Sequence, residues 1–98
     1  MYARVNTMQY QPGKLDEVFQ IFRESILQET KRLAGFQAGT VLLDHETDKA
    51  VVITLWQTEA DARASGPGSS YMQTQQAKAA SLFAAPPIIE FYEVGLQE

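Results

Sequence analysis

Apolar side chains recur at helical spacing from Leu15 to Leu33. Wound at about 100° per residue, Leu15, Val18, Phe19, Phe22, Ile26 and Leu33 gather into one stripe, and Lys14, Asp16, Gln20, Glu24, Lys31 and Arg32 fall largely outside it. The pattern predicts one amphipathic helix. Pro12-Gly13 supplies the loop ahead of it, Asp16 and Glu17 sit near the positive end of its dipole, and Lys31 and Arg32 near the negative end. Gly35 is placed to stop it in the left-handed conformation that glycine adopts without steric cost. A helix with two Phe side chains on one face needs a flat apolar partner, and the remaining segments offer only strands.

Elsewhere the period drops to two. Tyr2 to Gln9 reads as a strand with Ala3, Val5 and Thr7 on one face and Tyr2, Arg4, Asn6 and Met8 on the other, an unusually polar set. Phe36 to Asp44 and Ala50 to Gln57 read as an antiparallel pair joined by the polar stretch His45 to Lys49. Thr58, or another residue just after Trp56, can cap a short helix, Glu59 to Ala64, which Gly66-Pro67-Gly68 breaks. Ser69 or Ser70 caps a second piece, Tyr71 to Ala84, and Pro86-Pro87 ends helix before a last strand, Ile88 to Val94.

The predicted order, strand-helix-strand-strand-broken helix-strand, is the split βαβ arrangement, an α+β, ferredoxin-like βαββαβ fold with a four-stranded antiparallel sheet. Right-handed crossovers put both helices on one face of that sheet. The other face is left without cover, although Val51 to Leu55, Ile88-Ile89, Phe91, Tyr92 and Val94 make both sides of the pleat apolar. Its projected area is about 300 Å², a size soluble monomers seldom leave bare. A homodimer with two sheets packed face to face, a dimeric α/β barrel, is therefore expected.

Composition narrows the partners. Ninety-eight residues predict a single domain over 1–98, and 45% hydrophobic with 20% charged residues is ordinary for a globular chain. A net charge of −4 with eight scattered basic residues argues against a nucleic-acid surface. The start lacks a basic flank and apolar core, and no run is long enough to span a bilayer, so no membrane partner and a cytoplasmic location are expected. With no cysteine and one histidine, disulfides, thiolate nucleophiles, sulfur-ligated metals and His-rich metal sites fall away.

Several residues can carry chemistry, each with a plainer alternative. Asn6 either satisfies a neighbouring backbone group or donates to a bound anion. Trp56 either docks the sheet against a helix or lies near a ligand. Arg4 reads first as an ion pair with Glu90 across the sheet, and second as a partner for a substrate anion. His45, at a charged hairpin tip, reads as solvated, and Asp44, Glu46 and Asp48 beside it make a weak metal site at best. The Gly66 to Ser70 loop is a helix break and cap before it is a phosphate cradle. Tyr71 and Gln75 share a helix face, either lining a pocket or packing on the sheet.

Val5-Asn6 followed by Pro12-Gly13 and a helix, Leu33-Ala34-Gly35-Phe36 opening the second strand, and Thr54 to Ala60 closing the third together resemble the antibiotic biosynthesis monooxygenase family of dimeric α+β barrel proteins. The resemblance covers nearly the whole chain. It implies a cofactor-independent monooxygenase, with no cofactor or metal, acting on a small aromatic or quinol-type substrate held as its anion in a dry pocket between helices and sheet. Asn6 and Trp56 are then the catalytic candidates, and Phe22, Tyr71, Gln75 and Arg4 bind substrate. This arrangement requires Asn6 to face the helices, leaving Ala3 and Val5 for the dimer core.

Departures from the family are as informative. Asn6 stands where haem-degrading members carry an asparagine, but their pocket tryptophan and haem-ligating histidine fall on Ser65 and Gln75, which argues against haem degradation. The histidines many relatives carry fall on Ser65 and Ser70. Trp56 is similar to a tryptophan of the aromatic-polyketide monooxygenases, whose accompanying asparagine and tyrosine are here Val52 and Ala62. The alternatives are a non-catalytic dimeric protein that binds a small apolar metabolite and a stress-related dimer with no cavity.

Overall fold

A computed structural model describes residues Met1–Glu98, and in it the two-residue period of the first strand sorts its side chains onto two chemically different faces. Strand β1 (Tyr2–Gln9) pairs antiparallel with β3 (Lys49–Trp56), setting Arg4 opposite Thr54 and Asn6 opposite Val52. Its other edge pairs antiparallel with β4 (Ile88–Glu93), where Arg4 faces Phe91 and Asn6 faces Ile89. Strand β2 (Phe36–Asp44) completes a four-stranded sheet in the order β2-β3-β1-β4, with a bulge between Phe36 and Ala38. The sheet and its helices form the ferredoxin-like α+β fold that the pattern predicts.

The first helix is not one uninterrupted α-helix. It runs as α1 (Leu15–Ile21), a π-helical turn (Phe22–Ile26) closed by Leu27 N–H donating to Phe22 O, and α2 (Leu27–Thr30). A π turn inserts one residue into the ladder, so the stripe is displaced beyond it, and Thr30 is buried while Leu33 lies outside the helix. The end also comes early. Arg32 N–H and Leu33 N–H bond back three residues, to Glu29 O and Thr30 O, and the tightened turn replaces the last helical turn expected through Leu33. Gly35 keeps its predicted left-handed backbone, φ +81°, and a Cβ there would collide with the Asp61 carboxylate.

The second half follows the same logic. Thr58 caps α3 (Glu59–Ala64) by accepting from Asp61 N–H, and Ser69 caps α4 (Ser70–Ala77) by accepting from Met72 N–H. Helix does not continue to Ala84. It gives way to a 3₁₀ turn (Ala80–Leu82), after which Phe83 bridges to Tyr10.

Met8, Tyr10, Leu15, Val18, Phe22, Ala50, Val52, Ala79 and Leu82 make the core between the helices and one sheet face. Tyr10 stacks on Phe83 with ring centroids 5.1 Å apart, and its hydroxyl meets only the Met8 sulfur, at 3.2 Å. Burial pushes this phenol well above its ordinary value. The folded state therefore holds its proton where the unfolded chain releases it, so this contribution is intact below about pH 10 and is lost as pH rises further. Tyr10→Phe is expected to change stability by less than about 1 kcal/mol at neutral pH. The variant's alkaline loss should be smaller than that of the wild type, read as urea midpoints at neutral and strongly alkaline pH. A loss equal to that of the wild type refutes the assignment.

The opposite sheet face carries Ala3, Val5, Val51, Ile53 and Leu55 in its middle, flanked by Leu42, Ile88 and Tyr92, which are 49%, 59% and 50% exposed. No segment of the chain's helices crosses it.

Candidate functional site

Alternation along β1 sends Arg4, Asn6, Met8 and Tyr10 toward the helices, and together with the facing residues they wall a cavity of about 60 Å³. That volume admits several water molecules. The π turn and α2 contribute Phe22, Ile26, Leu27 and Thr30, β3 contributes Val52 and Thr54, and α4 contributes Tyr71, Met72 and Gln75. Phe22, Ile26 and Thr30 follow one another at four-residue spacing, and the residue inserted by the π turn brings Leu27 round to the same side.

Arg4 is 3% exposed and has no carboxylate partner. Its Nη1 donates to Ala62 O at 3.0 Å and Ser65 Oγ at 2.6 Å, and its guanidinium lies 4.9 Å from the centre of the Trp56 ring. The Nε–H is buried and has no acceptor. Burial lowers the guanidinium from its ordinary value, opposed by the neighbouring Tyr71 phenol. The expected Arg4–Glu90 ion pair does not form. Arg4 lies under the helices, whereas Glu90 opposes Val5 on the other face and accepts from Tyr92 Oη at 3.0 Å.

Two more cavity residues hold unpaired polar atoms. Asn6 Oδ1 and Gln75 Oε1 are buried without a partner, so Asn6 does not serve the neighbouring backbone through its carbonyl. Gln75 is anchored at its other end, where Nε2 donates to Glu29 Oε2. Lys78 Nζ reaches the same carboxylate oxygen at 2.9 Å and donates to Ser25 Oγ at 2.8 Å. The Gln75 amide, and next the Lys78 ammonium, hold the Glu29 carboxyl below the usual carboxylate range. Tyr71 Oη is hydrogen-bonded to Thr30 Oγ1, which in turn donates to Ile26 O at 2.8 Å. Burial raises the Tyr71 phenol, while the Thr30 hydrogen bond and the Arg4 charge pull it back.

Five of the six residues predicted for the site, Arg4, Asn6, Phe22, Tyr71 and Gln75, share this cavity wall. Trp56 stands apart. It is fully buried beside the cavity, donates Nε1–H to Thr54 Oγ1 at 2.9 Å, meets Phe36 edge-on at 5.7 Å, and supports the Arg4 cation. Met8 and Tyr10 belong to the wall and were within reach of the same alternation that picked out Asn6. Thr30 lies four residues after Ile26 and so beside the predicted stripe, but as a polar side chain it leaves no mark in the hydropathy pattern. Ser65, where the resemblance puts a tryptophan, holds Arg4 instead. His45 is exposed at the hairpin tip, and no group of three His, Cys, Asp or Glu side chains comes together that could hold a metal. Ser69 caps its helix and donates to Gly66 O at 2.7 Å, which occupies the loop considered as a phosphate cradle. No helix is long and apolar enough to cross a membrane.

A ferredoxin-like sheet with a partly open cavity beneath its helices defines a class of small α+β proteins with a pocket between helices and sheet. The model of the family described as antibiotic biosynthesis monooxygenase matches residues 1–78, and the chain belongs to that family. Among proteins with curated descriptions none matches significantly. Similar solved structures include a protein of unknown function, NE2512 from Nitrosomonas europaea, at 23% identity and TM-score 0.78, covering 99% of this chain and 91% of that one. A monooxygenase from the gene ActVA-Orf6 of Streptomyces coelicolor, solved with the ligand nanaomycin D, aligns at 16% identity and TM-score 0.77 over 93% of this chain and 84% of its own. Rv0793 from Mycobacterium tuberculosis aligns at 12% identity and TM-score 0.73, covering 99% and 96%. At these identities the likeness is one of fold.

Proposed function

We propose that this protein is a cofactor-independent monooxygenase that oxidises a small aromatic or quinol-type substrate in the cavity between helices and sheet. The reading rests most on one observation: within a mainly apolar wall the Asn6 amide has a buried oxygen with no partner. A neutral ring hydroxyl can donate to Asn6 Oδ1, and a half-turn of the amide presents its N–H₂ to the same oxygen once it is ionised. Family membership and the nanaomycin D complex of the Streptomyces monooxygenase support the reaction class.

The chemistry balances without a metal. The phenolate passes one electron to dioxygen, and the resulting superoxide and aryloxyl radical join in a carbon–oxygen bond at a ring C–H carbon. Protonation gives a hydroperoxide, whose O–O bond breaks as that carbon loses its hydrogen, leaving a carbonyl and one water. The protein's part is to exclude bulk water, stabilise the oxyanion through Asn6 and hold the ring between Phe22, Tyr71 and Gln75, with Arg4 beside it. Trp56 enters this scheme as the support of Arg4. Residues 1–98 act as one domain, in a cytoplasmic homodimer paired through the open sheet face.

Asn6→Ala is expected to lower kcat by about 10²-fold, the usual effect of deleting one oxyanion donor, with little change in melting temperature. Oxygen uptake with a panel of hydroquinones and hydroxylated aromatics measures it. A variant with full turnover removes Asn6 from the mechanism. Substrate binding with no uptake in the wild type leaves a non-catalytic binding protein.

A further inference from the structure

The cavity contains a buried cation without a counter-ion. Both ion pairs of the protein, Arg63–Glu59 and Lys78–Glu29, are formed by other cations, so nothing anionic neutralises Arg4. A buried unpaired charge is among the costliest features a fold can carry, and the usual remedy is a carboxylate from the same chain. Here the remedy is missing although the site is built with care. Ala62 O and Ser65 Oγ hold Nη1, and Trp56 underlies the guanidinium plane.

The way Arg4 is held selects what can complete it. With Nη1 engaged by the protein, the edge left over is the one that contains Nε, whose hydrogen is without an acceptor. That edge pairs Nε–H with an Nη2–H in parallel, the spacing that accepts the two oxygens of one carboxylate. A phosphate dianion would call for further cationic donors, and the cavity wall supplies none besides Arg4: its other residues are neutral, apolar ones such as Phe22, Val52 and Met72 making up just over half of it. Asn6 Oδ1 and Gln75 Oε1 require the opposite kind of partner, a donor.

We propose that the cavity's ligand is a hydroxylated aromatic acid, larger than the roughly 60 Å³ now free, which enters from the cavity's open side and widens it on binding, its ionised carboxylate seated on Arg4 and its ring hydroxyls donating to Asn6 and Gln75. The location of the ligand rests on the pocket reading given above; the charge of the ligand does not depend on its oxidation. Arg4 is thus the specificity-determining residue, and the unpaired cation in the free protein is the half of an ion pair that the ligand completes.

Titration calorimetry under nitrogen tests this with 2,5-dihydroxybenzoate, its methyl ester and hydroquinone as probes. The acid is expected to bind at least about tenfold more tightly than the ester, the difference made by a charge-assisted fork in a dry site. Arg4→Met should lose that preference while melting at or above the wild-type temperature, since it removes an unpaired buried charge. Arg4→Lys, which keeps the charge and loses the fork, should retain only part of it. Equal or tighter binding of the ester, no binding of either probe, or a preference that survives Arg4→Met overturns the proposal. If Arg4→Met does not fold, the wild-type ratio of acid to ester decides alone. Oxygen uptake is measured separately. A preference for the acid without uptake keeps the aromatic-acid site and removes the oxygenase, and uptake from hydroquinone without a preference for the acid does the reverse.

Discussion

Trp56→Ala is expected to remove about 3–5 kcal/mol of folding stability, a large part of the roughly 5–15 kcal/mol that a domain of this size holds. Trp56 has no exposed surface, so its truncation leaves a void as well as lost contacts. The Thr54 hydroxyl loses the indole N–H that it accepts at 2.9 Å, and Phe36 loses its edge-on neighbour. Arg4 loses the ring 4.9 Å below it, which exposes a buried cation to an empty space. Urea unfolding followed by circular dichroism measures the loss, because Trp56 is the protein's one tryptophan and its fluorescence goes with it. A loss below about 1 kcal/mol contradicts the supporting role. Trp56→Phe keeps a ring beneath Arg4 and forfeits the N–H, so it should cost about 1–2 kcal/mol and preserve oxygen uptake. A folded Trp56→Phe protein without uptake would return Trp56 to the chemistry itself.

The second large effect is on assembly. Ile53→Asp is expected to convert the proposed dimer to a monomer at micromolar concentration. Ile53 lies on the open face between Thr40 and Val5, in the middle of the apolar field of Val51, Leu55, Leu42, Ile88 and Tyr92. By two-fold symmetry each face-to-face pair would bury two such aspartates, each without a counter-ion, at several kcal/mol per charge. The isolated subunit should tolerate the change, because in it the side chain looks into water and Ile53 is only half-buried. Light scattering reads the mass directly. A monomeric wild type rejects the dimer, and a dimeric variant moves the interface away from this face.

Local rules carried most of the fold. Thr58 caps its helix as read, Ser69 rather than Ser70 caps the next, and Gly35 takes the left-handed backbone expected of it but does not stop the helix, which has already ended at Thr30. The alternation that turns Asn6 toward the helices with Arg4, Met8 and Tyr10 is equally local. Helix ends were less legible. Whether an N–H bonds back four, five or three residues leaves the order of apolar and polar residues unchanged, so the π turn at Phe22–Ile26 and the early stop at Thr30 left no mark in the hydropathy pattern.

Which residues share a face is legible along the chain, because a strand's period of two and a helix's period of 3.6 are properties of neighbouring backbone and need no partner to be read. Those periods set the helix-sheet layering; the family, and with it five of the cavity's residues, came from the resemblance of particular residues such as Asn6 and Pro12-Gly13. Who satisfies whom is a property of the folded chain. Arg4 turns from Glu90, its cross-sheet candidate, to Ala62 and Ser65, 58 and 61 positions away, and Gln75 meets Glu29 across 46. Such pairings are settled by where separate elements come to rest, and so are the polar atoms of Arg4, Asn6 and Gln75 that the fold buries and leaves open.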